Sequence, residues 1–246
     1  MNKRFLKKVV ALAMTATLVV GNGTIALAAD ATTTTGQSQN ITGGGASEGH
    51  VDEHVTKLTL PTLGGTEFAY KADPERLVER ANNGVSNYDV DTLAYGVYFT
   101  SGTAKTYQSV QPKIINKSTS AVKVTVAAKF TSSGAHDIPI GTEMPSKFVS
   151  GTSTKGKASL YMGLKVGSEA AKALKLNEEV KTTVDVEGKA DNFELTYNSG
   201  TSKYEFGEKA GATGWNEVGF GFEGGCTYAD ASDGTDEYTA PTINVT

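Results

Sequence analysis

The chain has 246 residues, 38% of them hydrophobic, and a formal net charge of −4. This acidic balance argues against nucleic acids and anionic membrane surfaces as partners. Cys226 is the only cysteine, which excludes an intramolecular disulfide and leaves the fold to be held by its core. The length suits one large β-domain or two small ones.

Residues 1–28 are typical of a secretory signal peptide. A basic start that includes Lys3 and Arg4 precedes an apolar stretch at residues 9–20 and an A-x-A site that ends at Ala28. The apolar stretch is shorter than the roughly 20 residues of a spanning helix, although an uncleaved anchor is the alternative. Cleavage after Ala28, or after Ala29, would remove four basic residues and take the net charge from −4 to −8. We therefore predict a secreted protein, extracellular or associated with the cell surface.

Low complexity marks the next segment, residues 29–49, which contain runs of threonine and glycine and few apolar side chains. Such a composition predicts a flexible leader. We expect residues 50–246 to form a single β-sandwich domain.

Short segments of alternating apolar and polar residues fill that domain and predict strands with one buried and one solvated face. The clearest runs from Val122 to Phe130, where valines alternate with polar residues, and together with the preceding segment it predicts a hairpin. Strands are predicted at residues 54–60, 67–70, 95–100, 113–130 (a hairpin), 159–166, 180–186, 193–206 (a hairpin), 215–222 and 242–246. Residues 131–156 are rich in turn formers and predict a long surface loop.

Two short helices are also predicted. Asp73 can cap a helix that begins at Pro74, and Ser168 can cap another that ends at Leu174. The whole pattern predicts a mainly β protein, an antiparallel β-sandwich of immunoglobulin-like or jelly-roll-like type with one or two short helices.

The sharpest catalytic motif is His50-x-x-Glu53-His54, which matches the H-x-x-E-H pattern of inverted zinc peptidases. That chemistry needs a helix, which places both histidines on one face. Here the context is strand-like, so the two histidines would lie about 13 Å apart. A solvated lead-in to the first strand is the favoured interpretation, and we predict no enzyme activity.

An acidic loop at residues 230–237 offers Asp230, Asp233 and Asp236 as side-chain oxygens that suit calcium. The spacing departs from the EF-hand pattern, so a plain acidic loop is the alternative. No other cofactor is predicted.

The secretory start, the leader, the T-K-L-T-L-P-T run at residues 56–62 and the I-x-N-K-S turn before alternating valines together carry a resemblance. They resemble secreted surface and biofilm-matrix fibre-like β-sandwich proteins of Gram-positive bacteria, of the camelysin-like kind. The segment at Trp215 is loosely similar to the Trp-x-Leu motif of peptidoglycan-binding surface proteins, with Glu217 in place of the leucine. The resemblance implies export to the cell surface and a role in assembly or adhesion.

Two function hypotheses follow for a non-enzymatic surface protein. A structural or adhesive protein could assemble with itself or with matrix components by strand addition, with Val55, Leu58 and Leu60 filling pockets of the acceptor. Pairing of that strand within its own domain is the alternative. A carbohydrate-binding module would instead use Trp215 and exposed tyrosines, for which core packing is the competing interpretation.

Overall fold

The computed structural model describes residues 40–43, 45–48, 54–78, 94–101, 105–134, 136–229 and 238–246. The predicted signal peptide lies outside these ranges. Within them the chain is mainly β, with a short 3-10 helix at Ala190–Asn192 and helical residues at 77–78 and 94–95. The strands are β1 (Asn40–Gly43), β2 (Gly45–Glu48), β3 (Leu58–Thr59), β4 (Tyr70–Ala72), β5 (Val97–Phe99), β6 (Lys113–Asn116), β7 (Val122–Thr131), β8 (Leu160–Val166), β9 (Lys172–Ala173), β10 (Val180–Val186), β11 (Phe193–Asn198), β12 (Lys203–Glu208), β13 (Asn216–Cys226) and β14 (Thr242–Val245). No helix of the described ranges is long and apolar enough to cross a membrane.

Two antiparallel sheets supply most of the core. One has five strands in the order β3-β6-β13-β8-β9, and the other has three in the order β10-β7-β14. Phe130 of β7, Leu164 of β8 and Phe222 of β13 belong to one buried apolar cluster. This arrangement confirms the predicted mainly β, antiparallel sandwich class. Three further two-stranded pairs are β1 with β2, β4 with β5, and β11 with β12.

The period of two in the sequence sets which side chains enter this core. In β7, Val124 and Val126 are buried while Lys123 and Thr125, which alternate with them, are exposed, because successive side chains of a strand point to opposite faces. The same holds for Val218, Phe220 and Phe222 of β13, as predicted. Gly221, between Phe220 and Phe222, allows close approach of the neighbouring chain, since a Cβ there would lie 2.9 Å from the Val110 carbonyl oxygen.

The predicted hairpin at residues 113–130 is wrong. β6 pairs with β3 and β13, whereas β7 pairs with β10 and β14, so the turn between them crosses from one sheet to the other. Asn116 makes this crossing possible. Its buried side-chain amide donates to the carbonyls of Ser120, Val186 and Glu187 at 3.0, 2.8 and 3.1 Å, and so satisfies backbone groups of the two turns that meet at the crossing.

The predicted helix at residues 168–174 is also wrong, since its second half forms β9. Gly167 has a φ of 57° and turns the chain back on β8, and the Leu174 amide then donates to the Met162 carbonyl at 2.7 Å. Pairing with a buried strand prevails here over local helix propensity. At the other predicted helix the Asp73 carboxylate accepts from the amides of Leu77 and Val78, both at 2.8 Å. The chain beyond Val78 lies outside the described residues until Ala94.

The predicted leader contains a feature that its composition did not suggest. β1 and β2 pair in register from Asn40 opposite Glu48 to Gly43 opposite Gly45. The leader's flexibility stays a prediction.

Candidate binding surface

The predicted donor strand pairs with its own chain. Leu58 lies opposite Asn116 at the edge of the five-stranded sheet. The Thr119 amide donates to the Val55 carbonyl at 3.0 Å, and Leu60 packs against the core. Val55, Leu58 and Leu60 therefore complete a sheet within their own domain in this structure, which is the alternative that the sequence left open.

Trp215 stands immediately before β13 and is half-buried. Its ring meets Phe193 edge-on, with 5.8 Å between the ring centroids. The Lys117 ammonium lies over the indole ring, 5.8 Å from its centroid. The indole thus supports the base of the β11–β12 hairpin, and its ring lies outside the main core cluster.

That hairpin carries an apolar face that the rest of the described chain leaves largely uncovered. Leu195 pairs with Phe206 and Tyr197 pairs with Tyr204, so these side chains share one face with Phe193. We call the five residues the aromatic hairpin face. Its outer half is solvent-exposed: Leu195 is 46% exposed, Tyr197 56% and Tyr204 52%.

The aromatic rings of this face are held in two contacting pairs, one at each end. At the base, Phe193 is buried and stacks on Phe206 with 5.8 Å between centroids. Toward the tip, Tyr197 and Tyr204 meet edge to face at 5.2 Å. Such contacts fix ring orientation and limit the side-chain entropy that a ligand would have to remove on binding. Glu208 is the charged residue that lies opposite Phe193 at the base of the hairpin. Its carboxylate forms an ion pair with Lys57, with 3.5 Å between Oε2 and Nζ.

The opposite face of the hairpin is polar and stabilises its turn. Glu205 accepts hydrogen bonds from the Asn198 amide and the Thr201 hydroxyl, both at 2.9 Å. Asn198 in turn accepts from the Gly200 amide at 2.9 Å. These contacts order the tip that presents Tyr197 and Tyr204.

Those hydrogen bonds make the tip sensitive to acid. Donation from Asn198 and Thr201 lowers the pKa of the Glu205 carboxyl below its ordinary value of 4.5. Because the folded-state pKa is the lower one, the stabilisation is complete above pH 4.5 and is lost as the pH falls through the lowered value. We expect the Gly200 amide resonance to shift over this acid range. In Glu205→Gln the same resonance should not follow this titration, and an identical pH profile in both proteins would contradict the assignment.

The predicted metal motifs stay predictions. His50, Glu53, Asp230, Asp233 and Asp236 lie outside the described residues, and His54 is exposed at the start of a described range. Among the described residues no group of three or more His, Cys, Asp or Glu side chains could hold a metal ion.

Cys226 is fully buried, so it offers no surface thiol for cross-linking the folded chain. Its thiol donates to the Gly96 carbonyl at 3.0 Å, and burial raises its pKa above the ordinary value. Arg76, also buried, donates to the Cys226 carbonyl at 2.7 Å and to the Asp73 carbonyl at 2.6 Å. The cluster ties the segment around Asp73 to the end of β13, which is a packing role.

The sequence predicted the β11–β12 hairpin and singled out Trp215, but it missed the aromatic hairpin face as a unit. The signal was present in the alternation F-E-L-T-Y and K-Y-E-F on either side of the Asn198-Ser199-Gly200 turn. Alternation indicates that a face is apolar, and it does not indicate whether another element covers that face.

Comparison of the chain with protein-family models, with curated proteins and with solved structures finds no match. The fold and this surface therefore define only a structural class of protein, an antiparallel β-sandwich that carries an aromatic hairpin.

Proposed function

We propose that this is a secreted cell-surface protein of adhesive type, and that the aromatic hairpin face binds an extracellular polysaccharide. The observation that carries the proposal is the exposed pair Tyr197 and Tyr204, whose rings meet edge to face at the outer end of the aromatic hairpin face. The predicted signal peptide supports an extracellular location, and the proposal needs no catalytic residue.

The shape of the face favours a linear polymer over a globular protein. Six-residue strands are about 20 Å long and lie about 4.8 Å apart, so the face is a strip only about two side chains wide. Such a strip offers much less than the roughly 800 Å² that each partner buries in a standard protein interface. An extended chain of sugar rings can follow it along its length.

The chemistry of the face favours a neutral sugar. Its five members are apolar or aromatic, and tyrosine combines a flat ring with a hydroxyl that can donate or accept a hydrogen bond. The nearest charge in register, Glu208, is already paired with Lys57. Aliphatic sugar faces could pack on the rings while hydroxyls meet the tyrosine oxygens.

We expect Tyr197→Ala and Tyr204→Ala each to weaken binding to a neutral polysaccharide about tenfold, which corresponds to about 1.4 kcal/mol. Tyr197→Phe should retain most of the affinity because the ring remains. Affinity electrophoresis through gels that contain β-glucan, mannan or galactan, with sedimentation on insoluble chitin, measures this.

Lys203→Ala is the matched control, because Lys203 lies on the same hairpin but its side chain points to the opposite face. It should bind as the parent does. Binding that is unchanged in the Tyr197→Ala, Tyr204→Ala double variant would refute the proposal. So would the absence of binding to every polysaccharide tested combined with retained binding to a protein matrix.

A further inference from the structure

β10 forms one edge of the three-stranded sheet. It is seven residues long, Val180–Val186, and its only ladder partner among the described strands is β7. An edge of this length presents a row of backbone donors and acceptors to which another strand can pair.

The residues that face outward follow from the ladder on the other side of β7. The Ala127 amide donates to the Thr246 carbonyl, and the Thr246 amide donates back to Ala127, both at 2.8 Å. The backbone N–H and C=O of Ala127 therefore point away from β10. The backbone groups of the even-numbered residues of β7 point toward β10. Since Ala127 lies opposite Lys181, the backbone groups of Lys181, Thr183 and Asp185 are the ones that face outward. The Lys172 ammonium reaches the Lys181 carbonyl from that side at 2.8 Å.

We propose that two copies of this chain associate through β10, antiparallel and about a two-fold axis at Thr183. This register sets the three outward-facing residues of one copy against those of the other, so about six ladder hydrogen bonds form once the exposed Lys172 ammonium of each copy leaves the Lys181 carbonyl. Lys181 of each copy then lies opposite Asp185 of its partner, and the pair occurs twice by symmetry. The result is one continuous six-stranded sheet with a closed, isologous interface.

Charge favours this pairing over parallel addition and over the antiparallel shift that brings Glu179 into the ladder. Side chains of directly opposite residues lie about 5 Å apart on one face, close enough for Lys181 and Asp185 to attract each other. Parallel addition would set Lys181 against Lys181 and Asp185 against Asp185. An antiparallel shift of two residues would bring Glu179 opposite Asp185. A lysine on an open edge generally discourages strand addition. In this pairing, however, Asp185 of the second copy lies opposite Lys181 and neutralises its charge.

The side chains are available for such contacts. Asp185 is 63% exposed and lies 3.8 Å from Lys123, and Lys181 is 60% exposed and lies 3.2 Å from Glu179. Exposed pairs of this kind contribute little, so their rearrangement on association is inexpensive. Association through β10 needs no exchange of β3, which pairs with β6 of its own chain, and it is independent of what the aromatic hairpin face binds.

Sedimentation equilibrium of the full exported chain over a hundredfold concentration range tests the proposal. The parent should form a concentration-dependent dimer. Lys181→Glu and Asp185→Lys should each weaken the dimer at least tenfold, because each variant opposes like charges twice. An equimolar mixture of the two single variants should form a heterodimer, and the Lys181→Glu, Asp185→Lys double variant should dimerise as the parent does.

Thr183→Pro gives a second test, since it removes an outward amide that β7 does not use, and proline is tolerated on edge strands. It should abolish the dimer. Lys113→Glu makes the same change in net charge as Lys181→Glu, but it lies on the other sheet and should leave dimerisation intact. A parent that stays monomeric, or a dimer that tolerates both Thr183→Pro and Lys181→Glu, would overturn the proposal. If Thr183→Pro fails to fold by circular dichroism, the mixing experiment decides.

Discussion

Replacing Asn116 with alanine is expected to lower the free energy of unfolding by about 3 kcal/mol. The side chain is fully buried at the point where the chain passes from the five-stranded to the three-stranded sheet. Its amide donates to three backbone carbonyls, and its oxygen accepts from the Ser118 amide at 3.0 Å. Alanine would remove the side-chain partner of the Ser120 and Val186 carbonyls and of the Ser118 amide, while the Glu187 carbonyl would keep its bond from Asn216. Loss of buried hydrogen bonds of this kind is among the largest single losses that a buried position can produce. Chemical denaturation with urea measures the difference.

Asn216 provides a matched control, because it lies directly opposite Asn116 in the β6–β13 pairing. It also donates to the Glu187 carbonyl, at 3.1 Å, but it is exposed to solvent. Water can replace its hydrogen bonds, so Asn216→Ala should cost less than about 1 kcal/mol. Equal losses at both positions would show that the buried amide does not hold the crossing between the sheets.

Gly188→Ala is the second change expected to be severe, with a loss of about 3 kcal/mol. A Cβ at this position would overlap the backbone N, Cα and C atoms of Ser120. No flexible side chain can move aside, so the turn after β10 would have to separate from the turn after β6. That movement would also break the hydrogen bond from the Lys189 amide to the Ser118 carbonyl, which is 2.9 Å long.

Gly207→Ala is the comparison for this substitution. Gly207 lies within β12, and a Cβ there would meet nothing within 4 Å. Alanine should be neutral or slightly stabilising at this site, because it restricts the unfolded chain. Thermal unfolding of both variants distinguishes the two cases, and a Gly188→Ala protein as stable as the parent would contradict the close backbone approach.

Both severe positions lie in the same small region, where two turns meet between the sheets. Ser118, Ser120 and Gly188 form its backbone, and Asn116 is the side chain that joins them. The aromatic hairpin face begins a few residues farther along, after the 3-10 helix at Ala190–Asn192. A change that loosens this junction should therefore also reduce binding at Tyr197 and Tyr204, while changes at those tyrosines should leave stability intact.

The fold class and most of the strands could be predicted from the order of residues alone. Alternation in residues 122–130, 180–186 and 215–222 predicted which side chains are buried, because a strand places successive side chains on opposite faces whatever its partner is. The Asn198-Ser199-Gly200 turn likewise predicted the β11–β12 hairpin from local chemistry alone. Strand faces and tight turns depend on two to six neighbouring residues, so they can be predicted from the sequence.

The pairing partners of the strands depend on long-range contacts and could not be predicted from the sequence. Residues 113–130 contain a strand, a polar turn and a strand, a pattern that a hairpin and a crossing between sheets share. The outcome depends on Asn116 meeting the Val186 and Glu187 carbonyls, some seventy residues away. Pairing with β8 likewise turned residues 172–173 into a strand, and the absence of a covering element among the described residues left Tyr197 and Tyr204 exposed. Local pattern fixes the face of a strand, whereas long-range hydrogen bonding and packing fix its neighbours.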